Sequence, residues 1–467
     1  MDRWYNRSMS LTLDLTCLVA GGPQGAVGVD PADLQAAESA HAAHRKSLLD
    51  KRAGGELGFF DLPDQQIDAI RAFADKQHGR FENIVVLGIG GSALGTQALH
   101  AALSPALHDR RPRDISRPKL FVIDNVDPVL VGGILRAANP ATTLYNVISK
   151  SGSTAETMSQ FLLVLEALKH TVGDHWQQHV VVTTDGEAGF LRPFAEANGL
   201  TTFAVPGNVG GRFSVLSPVG LVPGALMGWE LDELLEGAAH GRERCLSEDF
   251  RQSPAAMLAA THHLLDTKLG HNVQVLFPYS HKLRLMADWN VQLVAESLGK
   301  SRNGQGVGPT PHGALGATDQ HSQVQLFAEG PHDKVFTFLR VLNHKDEVVI
   351  PAPPAGLEGL SYLGGKTFGQ LLDAECRATQ LALTEAGRPN CLITLPEVDA
   401  RSVGELIMWL QIATAFGGEL YGVDAFNQPG VEAGKVATYG LMGREGFEAE
   451  KARVEGKALS NPSWRIA

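Results

Sequence analysis

Short apolar runs recur along this chain, each leading through a glycine- or hydroxyl-rich turn into a helical pattern, and that alternation restricts its possible folds more than any other feature. The first series has runs at residues 83–87, 119–123, 144–148 and 179–183, with a helix from Thr96 to Leu103 after the first. Unbroken β-branched runs belong to strands buried on both faces, and strand–helix–strand repetition at this spacing means a parallel sheet covered by helices. A mostly helical bridge then extends to Lys268. The second series follows, with strands expected at 273–277, 335–339, 347–350 and 391–394, helices at 283–298, 371–386 and 403–416, and a last helix from Val431. The chain therefore reads as an α/β protein of two units, residues 76–225 and 226–467. Residues 1–75 form a helical N-terminal arm with patterns at 31–49 and 65–76. The Gly-rich stretch 299–316 and Pro351-Ala-Pro-Pro354 read as surface loops, the first long enough to be functional.

Composition excludes several classes. With 467 residues, 44% hydrophobic and 19% charged, the chain can bury sizeable cores and is neither disordered nor fibrous. No run of 18 apolar residues is present, so no membrane span is expected and the location is expected to be the cytoplasm. Cys17, Cys245, Cys376 and Cys391 lack CxxC spacing, which points to reduced structural thiols. A net charge of −11 argues against a nucleic-acid partner, though not against a small anion held in one focused site.

The turn after the third run carries the strongest chemical signal. Asn146-Val-Ile-Ser-Lys-Ser-Gly-Ser-Thr-Ala-Glu-Thr157 passes from a strand end to a helix start, with Ser153-x-x-Glu156 spaced as a capping box. A helix N-terminus surrounded by Ser149, Ser151, Ser153 and Thr154 is a cradle for a phosphate group; the competing reading is an ordinary capped turn. Gly88-Ile-Gly-Gly-Ser-Ala-Leu-Gly95 fits a dinucleotide turn poorly, because that site wants an acid about 20 residues on and Asp124 lies well beyond; Ser92 supports phosphate binding equally well. Close strand–helix packing is the alternative there.

In Gly210-Gly-Arg-Phe-Ser-Val-Leu-Ser-Pro218, Arg212 sits between glycine and the loop hydroxyls and is suited to holding an oxyanion, against the alternative of a surface salt bridge. Glu296 lies in the last turn of an apolar helix that Gly299 should end, a position suited to general-base work; an exposed pair with Lys300 is the alternative. His321 stands at an element boundary in Thr318-Asp-Gln-His321, where it could act as a proton shuttle, and His312 lies in the Gly/Pro-rich loop. Lys435, in the first turns of a late helix, is unfavourable for the helix dipole unless an anion is near. No HExxH-like spacing occurs, so neither a metal nor a cofactor is expected in the chemistry.

Taken together and in this order, four separated motifs resemble the glucose-6-phosphate isomerase family in its bacterial form. They are Val209-Gly-Gly-Arg-Phe-Ser-Val-Leu-Ser-Pro218, Glu296-Ser-Leu-Gly-Lys300, Thr318-Asp-Gln-His-Ser322 and Phe426-Asn-Gln-Pro-Gly-Val-Glu-Ala-Gly-Lys435, and the resemblance covers roughly residues 80 to 440. It implies two sugar-isomerase domains of the flavodoxin-like, three-layer type, an extended C-terminal helix, and a homodimer whose sites are completed across the interface. It further implies that Gly91, Ser92, Ser149, Lys150, Ser151 and Thr154 bind the phosphate of a sugar-phosphate substrate. His321 of the partner subunit and Lys435 would assist ring opening, Glu296 would move a proton between C2 and C1 through a cis-enediol, and Arg212 would stabilise the enediolate charge. Lys150 is the least necessary of the phosphate set, since backbone N–H groups and hydroxyls could suffice. Gly152 stands where animal members carry a bulkier residue, and the stretch between Glu296 and His321 is shorter than theirs. A non-catalytic sugar-phosphate sensor and a nucleotide-dependent oxidoreductase are the competing readings.

Overall fold

A computed structural model describes residues 10–22, 26–110, 116–187, 189–457, 459–460 and 462–466. The chain begins with β1 (Thr12–Asp14), α1 (Pro31–Ala53) and α2 (Asp68–Gln77). The first series follows as β2 (Asn83–Leu87), α3 (Leu94–Leu103), β3 (Lys119–Ile123), α4 (Pro128–Ala137) and β4 (Thr143–Ser149). It continues through α5 (Ala155–Val172), β5 (Val180–Asp185), α6 (Leu191–Ala197) and β6 (Thr201–Val205). These strands form one parallel sheet in the order β3-β2-β4-β5-β6. That order is flavodoxin-like, and its switch point, where such sheets hold ligands, lies between β2 and β4. Every residue of β2 and β4 is buried, which is why their sequences read as mostly apolar runs, broken in β4 only by buried Asn146 between its flanking hydroxyl residues. The edge strand β6 was not anticipated, because its residues alternate between exposed and buried and include two threonines.

The bridge is α7 (Pro218–Leu226), α8 (Leu231–Cys245) and α9 (Pro254–Leu269). The second unit runs through β7 (Val273–Pro278), α10 (Arg284–Leu298), the hairpin β8 (Lys300–Arg302) and β9 (Gln305–Val307), and β10 (Thr310–Gly313). It is completed by α11 (Val324–Glu329), β11 (Lys334–Asn343), α12 (Phe368–Glu385), β12 (Asn390–Glu397) and α13 (Ala400–Tyr421). Helices α14 (Glu432–Leu441) and α15 (Glu448–Glu455) follow. The sheet order is β1-β12-β11-β7-β10, parallel except for β1, which pairs antiparallel with β12.

Three further elements differ from expectation. Residues 347–350 form no strand; Val349 makes only an isolated bridge to Thr367. The remaining parallel strand is instead β10, inside the Gly/Pro-rich stretch expected to be a loop, and its Pro311 is tolerated because β10 is an edge strand. The tail forms two helices rather than one, since Gly443 and Gly446 take φ of +77° and +84° between them.

The N-terminal segment holds the expected long helix α1 and also supplies β1. It is pinned by Glu405 on α13, whose carboxylate accepts from Leu11 N at 3.2 Å while Arg244 bonds both Glu405 and Leu11 O. Helix α13 is buried along most of its length and packs on α8 and α9, and α10 packs on α3 of the first unit. The last contact sets the site. Among the described residues no helix is long and apolar enough to cross a membrane.

Candidate active site

Because β2 and β4 are neighbours, with Leu87 opposite Val147, the turns leaving them meet. One turn enters α3 through Gly90-Gly-Ser92 and the other enters α5 through Lys150–Thr154. The capping box expected at Ser153 and Glu156 does not form. Thr154 is the N-cap of α5, and its side chain accepts no helix N–H. Its Oγ1 turns back into the loop instead, where it accepts from Ser149 Oγ at 3.0 Å and lies 3.2 Å from Ser151 Oγ. The first-turn N–H groups of α5 are thus left without a side-chain cap, as are those of α3, whose N-cap is Ala93. Two open helix N-termini and these hydroxyls at a switch point make an anion cradle, since such termini carry orphan donors and partial positive charge.

Lys150 is oriented differently from the hydroxyls around it. Its Nζ donates to Gly207 O at 2.7 Å and Val209 O at 2.8 Å, and burial, partly offset by Asp185, holds its pKa below the usual lysine value.

The segment that Lys150 grips leads directly into Gly210-Gly211-Arg212. Gly91 of the cradle packs so tightly on this segment that a Cβ there would lie 2.3 Å from the Gly211 carbonyl carbon. Arg212 is 2% exposed and all five of its N–H donors have acceptors. Nε donates to Ser297 Oγ at 2.7 Å, and one terminal nitrogen donates to Glu296 Oε2 at 3.3 Å and Gln428 Oε1 at 2.7 Å. The other donates to Ala425 O at 2.6 Å and Asn427 O at 2.9 Å. Burial lowers the Arg212 pKa and Glu296 opposes that shift, so a fixed cation stands beside a carboxylate.

Glu296 projects from the last turn of α10, which Gly299 caps as expected. A third of its side chain stays accessible, 33%, while Oε1 accepts from Gln292 Nε2 at 3.2 Å. Gly90 lies against the same Gln292 amide, so cradle, guanidinium and carboxylate are contiguous. Lys300 does not pair with the Glu296 carboxylate; its ammonium bonds the backbone carbonyls of Glu296 and Asn427 and closes the C-terminus of α10 on the 425–428 segment.

Among the described residues neither His321 nor Lys435 has a side-chain hydrogen bond or ion pair with this cluster. His321 ends a 3-10 turn and is exposed, and its side chain has no hydrogen bond or ion pair among the described residues. Lys435 is exposed on α14, with its ammonium 2.9 Å from the Glu432 carboxylate. His312, on β10, bonds Gln323 at 2.7 Å. Among the described residues no group of three or more His, Cys, Asp or Glu is placed to hold a metal.

Three polar residues of the cluster were not singled out from the sequence. Gln292 is one helical turn before Glu296, a spacing that puts both on one face and was a usable signal. Its Oε1 is buried without a hydrogen-bond partner among the described residues. Gln428 lies within the Phe426–Lys435 motif, and Ser297 adjoins Glu296; nothing in their local sequence marks them.

The chain is 46% identical over 431 residues to glucose-6-phosphate isomerase of Carboxydothermus hydrogenoformans, covering 91% of this chain and 93% of the relative. It is 50% identical over 396 residues to that of Rubrobacter xylanophilus, covering 84% and 90%. Among solved structures it is similar to a hypothetical protein from Thermus thermophilus, with a TM-score of 0.83, 42% identity and coverage of 93% of this chain and 100% of that one. It is also similar to a glucose-6-phosphate isomerase from Chlamydia trachomatis, with a TM-score of 0.71, 25% identity and coverage of 83% and 75%. Fold, site and relatives together define an isomerase of the α/β class. The chain belongs to the phosphoglucose isomerase family, whose model matches residues 65–445.

Proposed function

We propose that this chain interconverts glucose 6-phosphate and fructose 6-phosphate, the aldose–ketose step of glycolysis and gluconeogenesis, by proton transfer through a cis-enediol and without a metal. The observation that carries the reading is the contiguity of an uncapped anion cradle with the buried Arg212 and the partly accessible Glu296 beside it. Gly91, Ser92, Ser149, Ser151 and Thr154 hold the phosphate, the group that does not react. Glu296, partly accessible and held from two sides by Gln292 and Arg212, takes a proton from one of C1 and C2 and returns it to the other. As that proton leaves, charge develops on the enediolate oxygens beside Arg212, whose cation is already fixed by backbone carbonyls and needs no reorganisation.

Ring opening needs a proton donor and acceptor near the ring oxygen and the anomeric hydroxyl, and Lys435 and His321 of the partner subunit supply them. The reading is supported by the His321 side chain being exposed and without a hydrogen bond or ion pair among the described residues, as a residue serving a second copy would be. In a homodimer each site then combines Glu296 of one subunit with His321 of the other. Mixing the inactive variants Glu296→Gln and His321→Ala, unfolded and refolded together, should restore about a quarter of wild-type activity, because half of the dimers are hybrids with one intact site each. Absence of any recovery would contradict the shared site. The reaction itself is tested by incubating chelator-treated protein with fructose 6-phosphate and following glucose 6-phosphate. Product is expected, and none would refute both the activity and its metal independence.

A further inference from the structure

We propose that Lys150 is a positioning residue, a strut between the phosphate cradle and the loop bearing Arg212, and not a ligand of the substrate phosphate. The inference rests on the isomerase reading above. Lys150 lies in the middle of the cradle turn, where a lysine invites assignment to the phosphate, yet its ammonium is spent on the Gly207 and Val209 carbonyls. Its own carbonyl accepts from Asp185 N at 3.2 Å, so the residue is anchored to β5 as well. The neighbouring hydroxyls of Ser149, Ser151 and Thr154 face one another instead.

From Val209 the chain needs only Gly210 and Gly211 to reach Arg212, and two glycines give little stiffness of their own. Stiffness comes from outside, through the Lys150 bonds on one side and the contact of Gly91 on Gly211 on the other. Both supports belong to the cradle. The turn that grips the phosphate and the approach to Arg212 are therefore held as one unit, so that binding of the non-reacting group also fixes where the reacting carbons lie relative to the guanidinium. Geometry at the guanidinium matters because small misplacements of a positioning group cost about 10²-fold in rate.

The test separates turnover from phosphate affinity. In Lys150→Met, kcat should fall about tenfold to a hundredfold, while KM and the inhibition constant of inorganic phosphate change by less than about threefold. Lys150→Arg, which can still donate to both carbonyls, should recover part of that loss with phosphate inhibition again unchanged. Phosphate inhibition weakened about tenfold or more at intact kcat would make Lys150 a direct ligand and overturn the proposal, and wild-type values of both in the Met variant would show the strut to be dispensable. Should the Met variant fail to melt cooperatively, the Arg variant decides by the same split. Wild-type protein is assayed first; if it does not isomerise fructose 6-phosphate, it is the isomerase reading that fails.

Discussion

Glu296→Gln is expected to lower kcat by at least about 10²-fold with little change in phosphate affinity. Glutamine keeps the size and the acceptor oxygen that Arg212 Nη1 uses, but it cannot take a proton from carbon. The one contact that inverts is with Gln292, whose amide nitrogen now donates to Glu296 Oε1. That amide can turn over and present its unpartnered Oε1, so the variant should fold normally. The cradle lies on the turns after β2 and β4 and does not involve the carboxylate, which is why phosphate affinity should hold. Turnover near wild type would remove Glu296 from the mechanism.

Loss of Arg212 should cost comparably for a different reason. Removing a preorganised donor at developing oxyanion charge costs about 10²–10³ in kcat. Arg212→Lys is the better variant, because alanine would also strand Ser297, Gln428 and the Ala425 and Asn427 carbonyls and destabilise the fold by an amount on the order of 3–5 kcal/mol. Lysine keeps the charge but cannot reproduce five fixed N–H directions. We expect kcat to fall by about 10²-fold in a protein whose melting temperature drops only modestly. A kcat unchanged in a folded Arg212→Lys variant would show that charge alone, without the fork geometry, is enough.

The parts of the fold legible in the sequence are those whose residues are uniformly buried. β2, β4, β5 and the central strands β7, β11 and β12 announce themselves as apolar runs because helices cover both faces of their sheets. Three of the four edge strands of the large sheets do not: β1, β6 and β10 carry polar or proline residues that only their position in a sheet makes strand-like, whereas the edge strand β3 keeps a Leu-Phe-Val-Ile run and is legible. In the site, Arg212 and Glu296 could be singled out individually, but their meeting across 84 residues depends on α10 packing against α3, which no spacing encodes. The cradle illustrates a subtler limit. Ser153-x-x-Glu156 has the letters of a capping box, yet the hydroxyl of Thr154 serves the loop, and the uncapped terminus is what can receive an anion. Lys150 shows the converse, a cation whose partners are carbonyls nearly 60 residues further along the chain.

Proton transfer by Glu296 is tested most directly by running the reaction in D2O with chelator-treated protein and examining C2 of the glucose 6-phosphate formed after many turnovers. A carboxylate that remains partly open to water exchanges its carried proton in some turnovers, so deuterium should accumulate at C2 and be lost from the product pattern in Glu296→Gln. Glucose 6-phosphate formed at full rate with no deuterium at C2 would mean that hydrogen passes directly between the carbons, and would contradict an enediol mechanism with Glu296 as its base.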